Sequence, residues 1–218
     1  MIDAPASEPP LAVILLAAGA GTRMRSAVPK PLHRVGGASL LRHVIALARS
    51  ARPERIIVTA GEGFEAVVAE AASCAPEAVV VEQPARLGTG HAVQCAAPAL
   101  EGFRGVVLVL YADTPLLRGE TLAELRGAVA GGAAVAVLGF EAAAPGGYGR
   151  LVRDRTGGLE RIVEAKDANA AERAITLCNA GVMGFAWPDA VPWLAGLSNA
   201  NAKTEYYLTD LVAAARAA

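Results

Sequence analysis

Leu11-Ala12-Val13-Ile14-Leu15-Leu16-Ala17-Ala18-Gly19-Ala20-Gly21-Thr22-Arg23-Met24 passes from an unbroken apolar run into small residues and glycine. The run through Ala17 suits a parallel strand buried on both faces. The glycine-bearing turn behind it then falls at the carboxyl edge of the sheet, where open α/β folds bind ligands. Glycine lets the main chain take positive φ and approach a phosphate closely, and successive N–H groups make an anion cradle. Two familiar phosphate loops do not fit: a P-loop needs Lys-Ser or Lys-Thr after its second glycine, and a dinucleotide fingerprint needs glycine where Met24 stands. Arg23 inside the loop and Lys30 between Pro29 and Pro31 present two cations near the cradle with little backbone freedom.

Outward from this stretch the chain alternates. Leu40, Leu41, Val44, Ile45, Leu47 and Ala48 fall at helical spacing, and Arg55 to Thr59 forms a short β-branched run, completing one β-α-β unit. Helices are predicted near Phe64 to Ala71, Gly90 to Ala97 and Glu120 to Ala130, and strands at Ala78 to Val81, Val106 to Leu110 and Ala133 to Phe140. Such an order implies a Rossmann-like, doubly wound, mainly parallel α/β sheet. After Pro145 the pattern changes to hairpin-like pieces at Tyr148 to Val152 and Leu159 to Val163. An apolar run at Val182 to Phe185 and a last helix starting near Tyr206 follow, a small C-terminal β-rich elaboration of the sheet. Residues 1–10 read as a loose tail, residues 11–218 as one domain, and no repeat of hexapeptide or other period appears.

Composition narrows the function. No apolar run reaches the ~18 residues needed to span a bilayer, and Met1 to Pro10 lacks the basic and apolar regions of a signal peptide. A soluble, cytoplasmic protein with no membrane partner is expected. Cys74, Cys95 and Cys178 match neither a zinc pattern nor a disulfide framework, so reduced thiols are expected. His33, His43 and His91 are read as sharing no helix turn with another ligand, so any metal should be a hard, oxygen-bound one. The net charge of −1 argues against a nucleic-acid binder. Between Glu8 and Glu54, however, there is no acid, while Arg23, Arg25, Lys30, Arg34, Arg42, Arg49 and Arg52 supply seven positive charges.

The motifs beyond the loop carry a family resemblance. They are Gly21 to Ser26, Pro29-Lys30-Pro31-Leu32-His33, and Gln83 with Leu87-Gly88-Thr89-Gly90-His91-Ala92. Further along stand Leu110-Tyr111-Ala112-Asp113-Thr114-Pro115-Leu116, Gly147-Tyr148-Gly149-Arg150, Ile162 to Ala168, and Glu205-Tyr206-Tyr207-Leu208-Thr209-Asp210. Together they cover nearly all the chain after residue 10. The chain resembles the sugar nucleotidyltransferases, and among them the N-terminal uridylyltransferase domain of the bifunctional N-acetylglucosamine-1-phosphate uridylyltransferase/glucosamine-1-phosphate acetyltransferases.

The resemblance implies transfer of a uridylyl group from UTP to N-acetylglucosamine 1-phosphate, giving UDP-N-acetylglucosamine, a cell-wall precursor for peptidoglycan and lipopolysaccharide, and pyrophosphate. It implies that Leu16, Ala17, Ala18 and Gly19, with Gln83, Gly88 and Thr89, hold the uridine. Gln83 would then pair its amide donor and acceptor with the uracil edge, where cytosine presents the reversed pattern. Arg23 and Lys30 neutralise the triphosphate, and Asp113, after a buried strand, holds Mg²⁺. Tyr111, Ala112, Gly149, Glu164, Asn179, Tyr207 and Thr209 match positions that hold sugar and ribose, and His33 and His91 take structural hydrogen bonds. Ala112 and Ala180 stand where the family often has Gly and Thr or Ser.

In the family an Asn that shares the metal with Asp113 lies past the last helix, followed by a left-handed β-helix acetyltransferase. The sequence ends at Ala218, so a high Mg²⁺ requirement and no acetyl transfer are expected. Three other readings stay open: a relative using another sugar 1-phosphate or nucleotide, a nucleotide-binding module without turnover, and a nicotinamide-dependent oxidoreductase.

Overall fold

The computed structural model describes residues 8–19, 21, 24–61 and 64–218. Strand β1 (Leu11–Leu16) is buried along its whole length. A one-turn 3-10 helix (Lys30–Leu32) and a small ribbon, β2 (Arg34–Val35) and β3 (Ala38–Ser39), lead to α1 (Leu40–Ser50). Ser39 caps α1 by accepting from Arg42 N at 3.0 Å. Then come β4 (Arg55–Ala60), α2 (Phe64–Cys74), β5 (Val79–Glu82), α3 (Thr89–Ala96), β6 (Gly105–Tyr111), α4 (Gly119–Ala130) and β7 (Val135–Glu141). The chain ends with β8 (Arg150–Arg153), β9 (Leu159–Val163), α5 (Ala170–Arg173), β10 (Leu177–Trp187), α6 (Ala190–Ala195) and α7 (Leu211–Ala217).

The main sheet runs β5-β4-β1-β6-β10-β8-β9, with β7 paired to β10. β1 is flanked by β4 and β6, both parallel to it, and β5 is parallel to β4. This explains why the opening run is apolar at every position. Leu11, Val13 and Leu15 face a core filled by α1, α2 and α4, while Ala12, Ile14 and Leu16 face a second core with α3, α6 and α7. Side chains alternate along a strand, so a strand covered on both sides can expose neither set to water.

The second half is built differently. β10 is antiparallel to β6, β7 and β8. Its register with β7 shifts between Asn179 and Met183, so its first residues pair toward β7 and β8 and its last toward β6 and β7. The apolar run read at Val182 to Phe185 is thus only the middle of an eleven-residue strand.

The last helix does not start at Tyr206. Tyr206 N donates to Leu87 O at 2.7 Å and Tyr206 O accepts from Gly90 N at 2.8 Å, so its backbone is committed to the loop before α3 and to the first turn of that helix. Helix begins only with the 3-10 turn Leu208–Asp210 and α7. The ribbon β2–β3 and the short α5 and α6 lay below what periodicity can reveal. Near the N-terminus, Pro10 O accepts from Val106 N at 2.8 Å, Pro9 O from Arg126 Nη2 at 2.6 Å, and Glu8 pairs with Arg126 at 2.7 Å. Among the described residues no helix is long and apolar enough to cross a membrane.

Candidate functional site

The strand order reverses at β1: the chain proceeds through β4 and β5 on one side, then returns to place β6 on the other. Strand ends diverge at such a switch point and leave a crevice. A cleft of about 670 Å³ opens there. Its floor is Leu16, Ala17, Ala18 and Gly19 after β1, and Tyr111, Ala112 and Asp113 after β6. Hydrogen bonds from Ala17 N to Thr59 O (2.8 Å) and from Ala112 N to Leu16 O (3.0 Å) tie the ends of β4, β1 and β6 into one edge.

Lys30 and Asp113 meet across this floor as an ion pair, both about 70 % covered. The loop packs directly onto the lysine: Gly21, at φ +57°, leaves a Cβ only 2.8 Å from Lys30 Cβ, so that position requires glycine. Pro31 is buried beneath. A partly covered lysine beside a carboxylate, in a cleft also lined by Ala18, Gly19 and Gly21, is suited to a charged, phosphate-rich ligand. Arg23, the other expected cation, lies outside the described residues.

One wall is Gln83, Gly88 and Thr89. Gln83, only 5 % exposed, donates from its backbone to Ala60 O at 2.7 Å and from Nε2 to Gly88 O at 2.9 Å. Gly88 has φ +106°, and a Cβ there would stand 2.5 Å from Tyr206 O. Thr89 Oγ1 accepts from Leu208 N at 3.0 Å. The first turn of α3 is therefore stitched to residues more than a hundred positions later.

Gly149, Glu164, Asn179, Tyr207 and Thr209 do not line the cleft floor but gather in an adjoining cluster. Asn179 N donates to Gly149 O at 2.8 Å, and a Cβ on Gly149 would stand 3.4 Å from Glu164 Oε1. Thr209 Oγ1 donates to Glu164 Oε1 at 3.3 Å, and Tyr207 OH to Asp167 Oδ2 at 3.3 Å. Tyr111 joins the two parts. Burial, and the charge of Glu164 and then Asp113, push its phenol up to about 12, although a hydrogen bond with Thr89 works the other way. Burial also raises Glu164, with Asp167 and Glu205 adding to it and Lys203 and Thr209 opposing. Asp210 is raised by burial and by Glu164 and Asp167, and Tyr207 by burial and by Asp167. Carboxylates kept half-dry with so little cationic relief are suited to accept hydrogen bonds from ligand hydroxyls.

Sequence reading did not single out Lys203 and Glu205, which line the cleft, nor Asp167 and Asp210 beside the cluster. Glu205, Asp167 and Asp210 lie inside recognised motifs. Lys203 sits in a polar loop, Ser198 to Thr204, whose composition gives no signal. One expectation is corrected. His91 does share a helix turn with a cysteine, Cys95 Sγ lying 3.7 Å from its Nε2, because both stand on α3 four residues apart. Two such groups do not make a zinc site, and no group of three or more His, Cys, Asp or Glu able to hold a metal occurs among the described residues. All three cysteines are free.

Comparison with known proteins agrees with this geometry. A model of the MobA-like NTP transferase domain matches residues 13–176. The chain is similar to the protein named bifunctional protein GlmU of Xanthobacter autotrophicus, 54 % identical over 213 residues, which are 97 % of this chain and 47 % of the relative. It is equally similar to the GlmU of Dinoroseobacter shibae, 54 % identical over 207 residues, 95 % of this chain and 46 % of that one. The chain thus spans about half the length of the curated relatives it matches. A solved UDP-glucose pyrophosphorylase complexed with UDP-glucose shares the fold with a TM-score of 0.73 at 18 % identity, over 96 % of this chain and 88 % of that one. By its matched residues and by the cleft at the switch point of its sheet, the chain belongs to the MobA-like NTP transferase domain family and is a nucleotidyltransferase.

Proposed function

We propose that this chain transfers a uridylyl group from UTP to N-acetylglucosamine 1-phosphate, giving UDP-N-acetylglucosamine and pyrophosphate. The observation that carries the reading is the continuity of the two halves. The glycine loop, Lys30, Asp113, Gln83 and Thr89 share one cleft, and through Tyr111 and Thr89 it abuts the cluster of Gly149, Glu164, Asn179 and Thr209. One half suits a nucleotide, the other a polyhydroxyl group. Half-length similarity to GlmU proteins supports the same pairing.

In the proposed reaction a phosphate oxygen of the sugar 1-phosphate attacks the α-phosphorus of UTP in line. A new phosphorus–oxygen bond forms, the bond from the α-phosphorus to the bridging oxygen breaks, and the electron pair leaves with pyrophosphate. The nucleophile is already an anion, so no general base is required, and catalysis reduces to positioning and charge screening. Lys30, with Arg23, meets the charge growing on the leaving group. The main chain from Leu16 to Gly19 holds the nucleotide, Gln83 and Gly88 read the base, and Glu164, Asn179 and Thr209 orient hydroxyls.

Mg²⁺ fits the residues present. It keeps several waters and takes phosphate oxygens, so it needs only one or two protein carboxylates, and Asp113 lies on the cleft floor. When bound there it would supply charge screening to the triphosphate.

The test is pyrophosphate release across a matrix of UTP, CTP, ATP and GTP against N-acetylglucosamine 1-phosphate and glucose 1-phosphate. UTP with N-acetylglucosamine 1-phosphate is expected to be fastest. Faster release with another pair reassigns the substrate, and release with none, despite UTP binding, identifies a binding module.

A further inference from the structure

The carboxamide of Gln83 is held in a way that decides which of its atoms can meet a base. Its Nε2 lies 2.9 Å from Gly88 O and 3.1 Å from His91 Nδ1. A main-chain carbonyl oxygen only accepts, so the amide atom facing it must be the nitrogen. The second hydrogen of that nitrogen then goes to His91 Nδ1, which must carry a bare lone pair. The imidazole proton therefore sits on Nε2, on the side of Cys95 Sγ. Both amide hydrogens are used inside the protein. Oε1, hydrogen-bonded to no described residue, is the atom left for a ligand in the cleft that Gln83 lines. The backbone is equally fixed, by the bond to Ala60 O at 2.7 Å and by Pro84, which confines Gln83 to extended conformations.

We propose that His91 is a positioning residue for nucleotide choice: with Gly88 O it clamps the Gln83 nitrogen, so that the site offers the base a single acceptor, Oε1. Uracil has a hydrogen on N3 and can donate to that oxygen; cytosine has a lone pair on N3 and meets it with repulsion. Rotating the carboxamide to suit cytosine would turn Oε1 onto Gly88 O, an acceptor–acceptor contact, and would force His91 to give up the Nε2–H tautomer on the side of Cys95. Discrimination thus comes from leaving a buried polar group wrongly paired, the strongest form available to a small site. The inference rests on the uridylyltransferase reading and replaces donor-plus-acceptor recognition by Gln83 with acceptor-only recognition.

The experiment measures kcat/KM for UTP and CTP at saturating sugar 1-phosphate in the wild-type chain, His91→Phe, His91→Ala and His91→Asn, with thermal melts of each. Asparagine can place an acceptor oxygen where Nδ1 stands; phenylalanine and alanine cannot. The UTP:CTP ratio is expected to fall about tenfold in the Phe and Ala variants, the size of one lost hydrogen bond. It should stay near the wild-type ratio in His91→Asn, with KM for the sugar phosphate unchanged throughout. A wild-type ratio in a folded Phe or Ala variant would overturn the role of His91 while leaving the uridylyltransferase reading intact. Absence of any UTP preference in the wild type would overturn both. Independently of any variant, 3-methyl-UTP, which lacks the N3 hydrogen, should bind the wild-type chain at least about tenfold more weakly than UTP; equal binding would show that Oε1 does not read N3.

Discussion

The two halves of the cleft are made of different material. On the side of β1, β4, β5 and β6 the site is mostly main chain. Parallel strands end together, Leu16 to Gly19 and Tyr111 to Asp113 form one edge, and the lysine and aspartate laid on it are partly solvated. On the side of β8, β9 and β10 the site is side chain. Glu164, Asn179, and the pair Tyr207 and Thr209 come from three separate segments, and Glu164 and Asp210 are held above their ordinary range by burial. A nucleotide's phosphates carry enough charge to be bound by exposed N–H groups and cations. A sugar's hydroxyls compete poorly with water and need acceptors already dried and aimed. The first half should therefore govern turnover at little cost in stability, and the second should trade stability for function.

The largest effect is expected where the halves are stitched together. Gly88→Ala puts a Cβ 2.5 Å from Tyr206 O at a positive φ, which should cost about 2–5 kcal/mol of stability from backbone strain and overpacking together. Urea unfolding and pyrophosphate release should both collapse. An unchanged melt would mean that the contact between the α3 loop and Tyr206 does not hold the halves.

Lys30→Ala should separate the two properties. Turnover should drop by about 3 kcal/mol in transition-state terms, on the order of a hundredfold or more, as for loss of one preorganised charge contact. Stability should move by less than about 1 kcal/mol, because the pair with Asp113 is partly exposed. A variant that unfolds early instead would place Lys30 with the packing of the loop.

Glu164→Gln should do the reverse. Its carboxyl is raised in the folded state, mainly by burial, so the wild type has its full share of stability from this group below the unfolded glutamate pKa and loses it as pH rises through the folded value. The variant should then melt later than wild type at pH 8, by roughly 1 kcal/mol as for other relieved functional sites. That advantage should vanish near pH 4, while KM for the sugar phosphate rises. A variant less stable than wild type at pH 8 would show that the carboxylate is stabilised where it sits.

The smallest effect lies outside both halves. Glu8→Gln removes an ion pair with Arg126 whose glutamate is 77 % exposed, and thermal melts should shift by less than about 0.5 kcal/mol. A larger loss would mean that residues 8–10 are held chiefly by this pair to α4 and not by the bond from Pro10 O to β6.

The sequence by itself determined the parallel half. Leu11 to Gly21 declares a doubly covered strand followed by a turn, and the alternation that follows implies strands ordered on both sides of it, because strand and helix periods are local properties of the backbone. The motif strings also named most of the residues that the structure brings together. Only the tertiary structure decided that β10 runs antiparallel with a shift of register after Asn179, and that Tyr206 spends its backbone on Leu87 and Gly90 instead of starting a helix. It alone brought Lys203 to the cleft and turned the Gln83 nitrogen toward His91. These depend on which distant segments share burial and hydrogen bonds, and a one-dimensional pattern records each segment's own preference but not its partner.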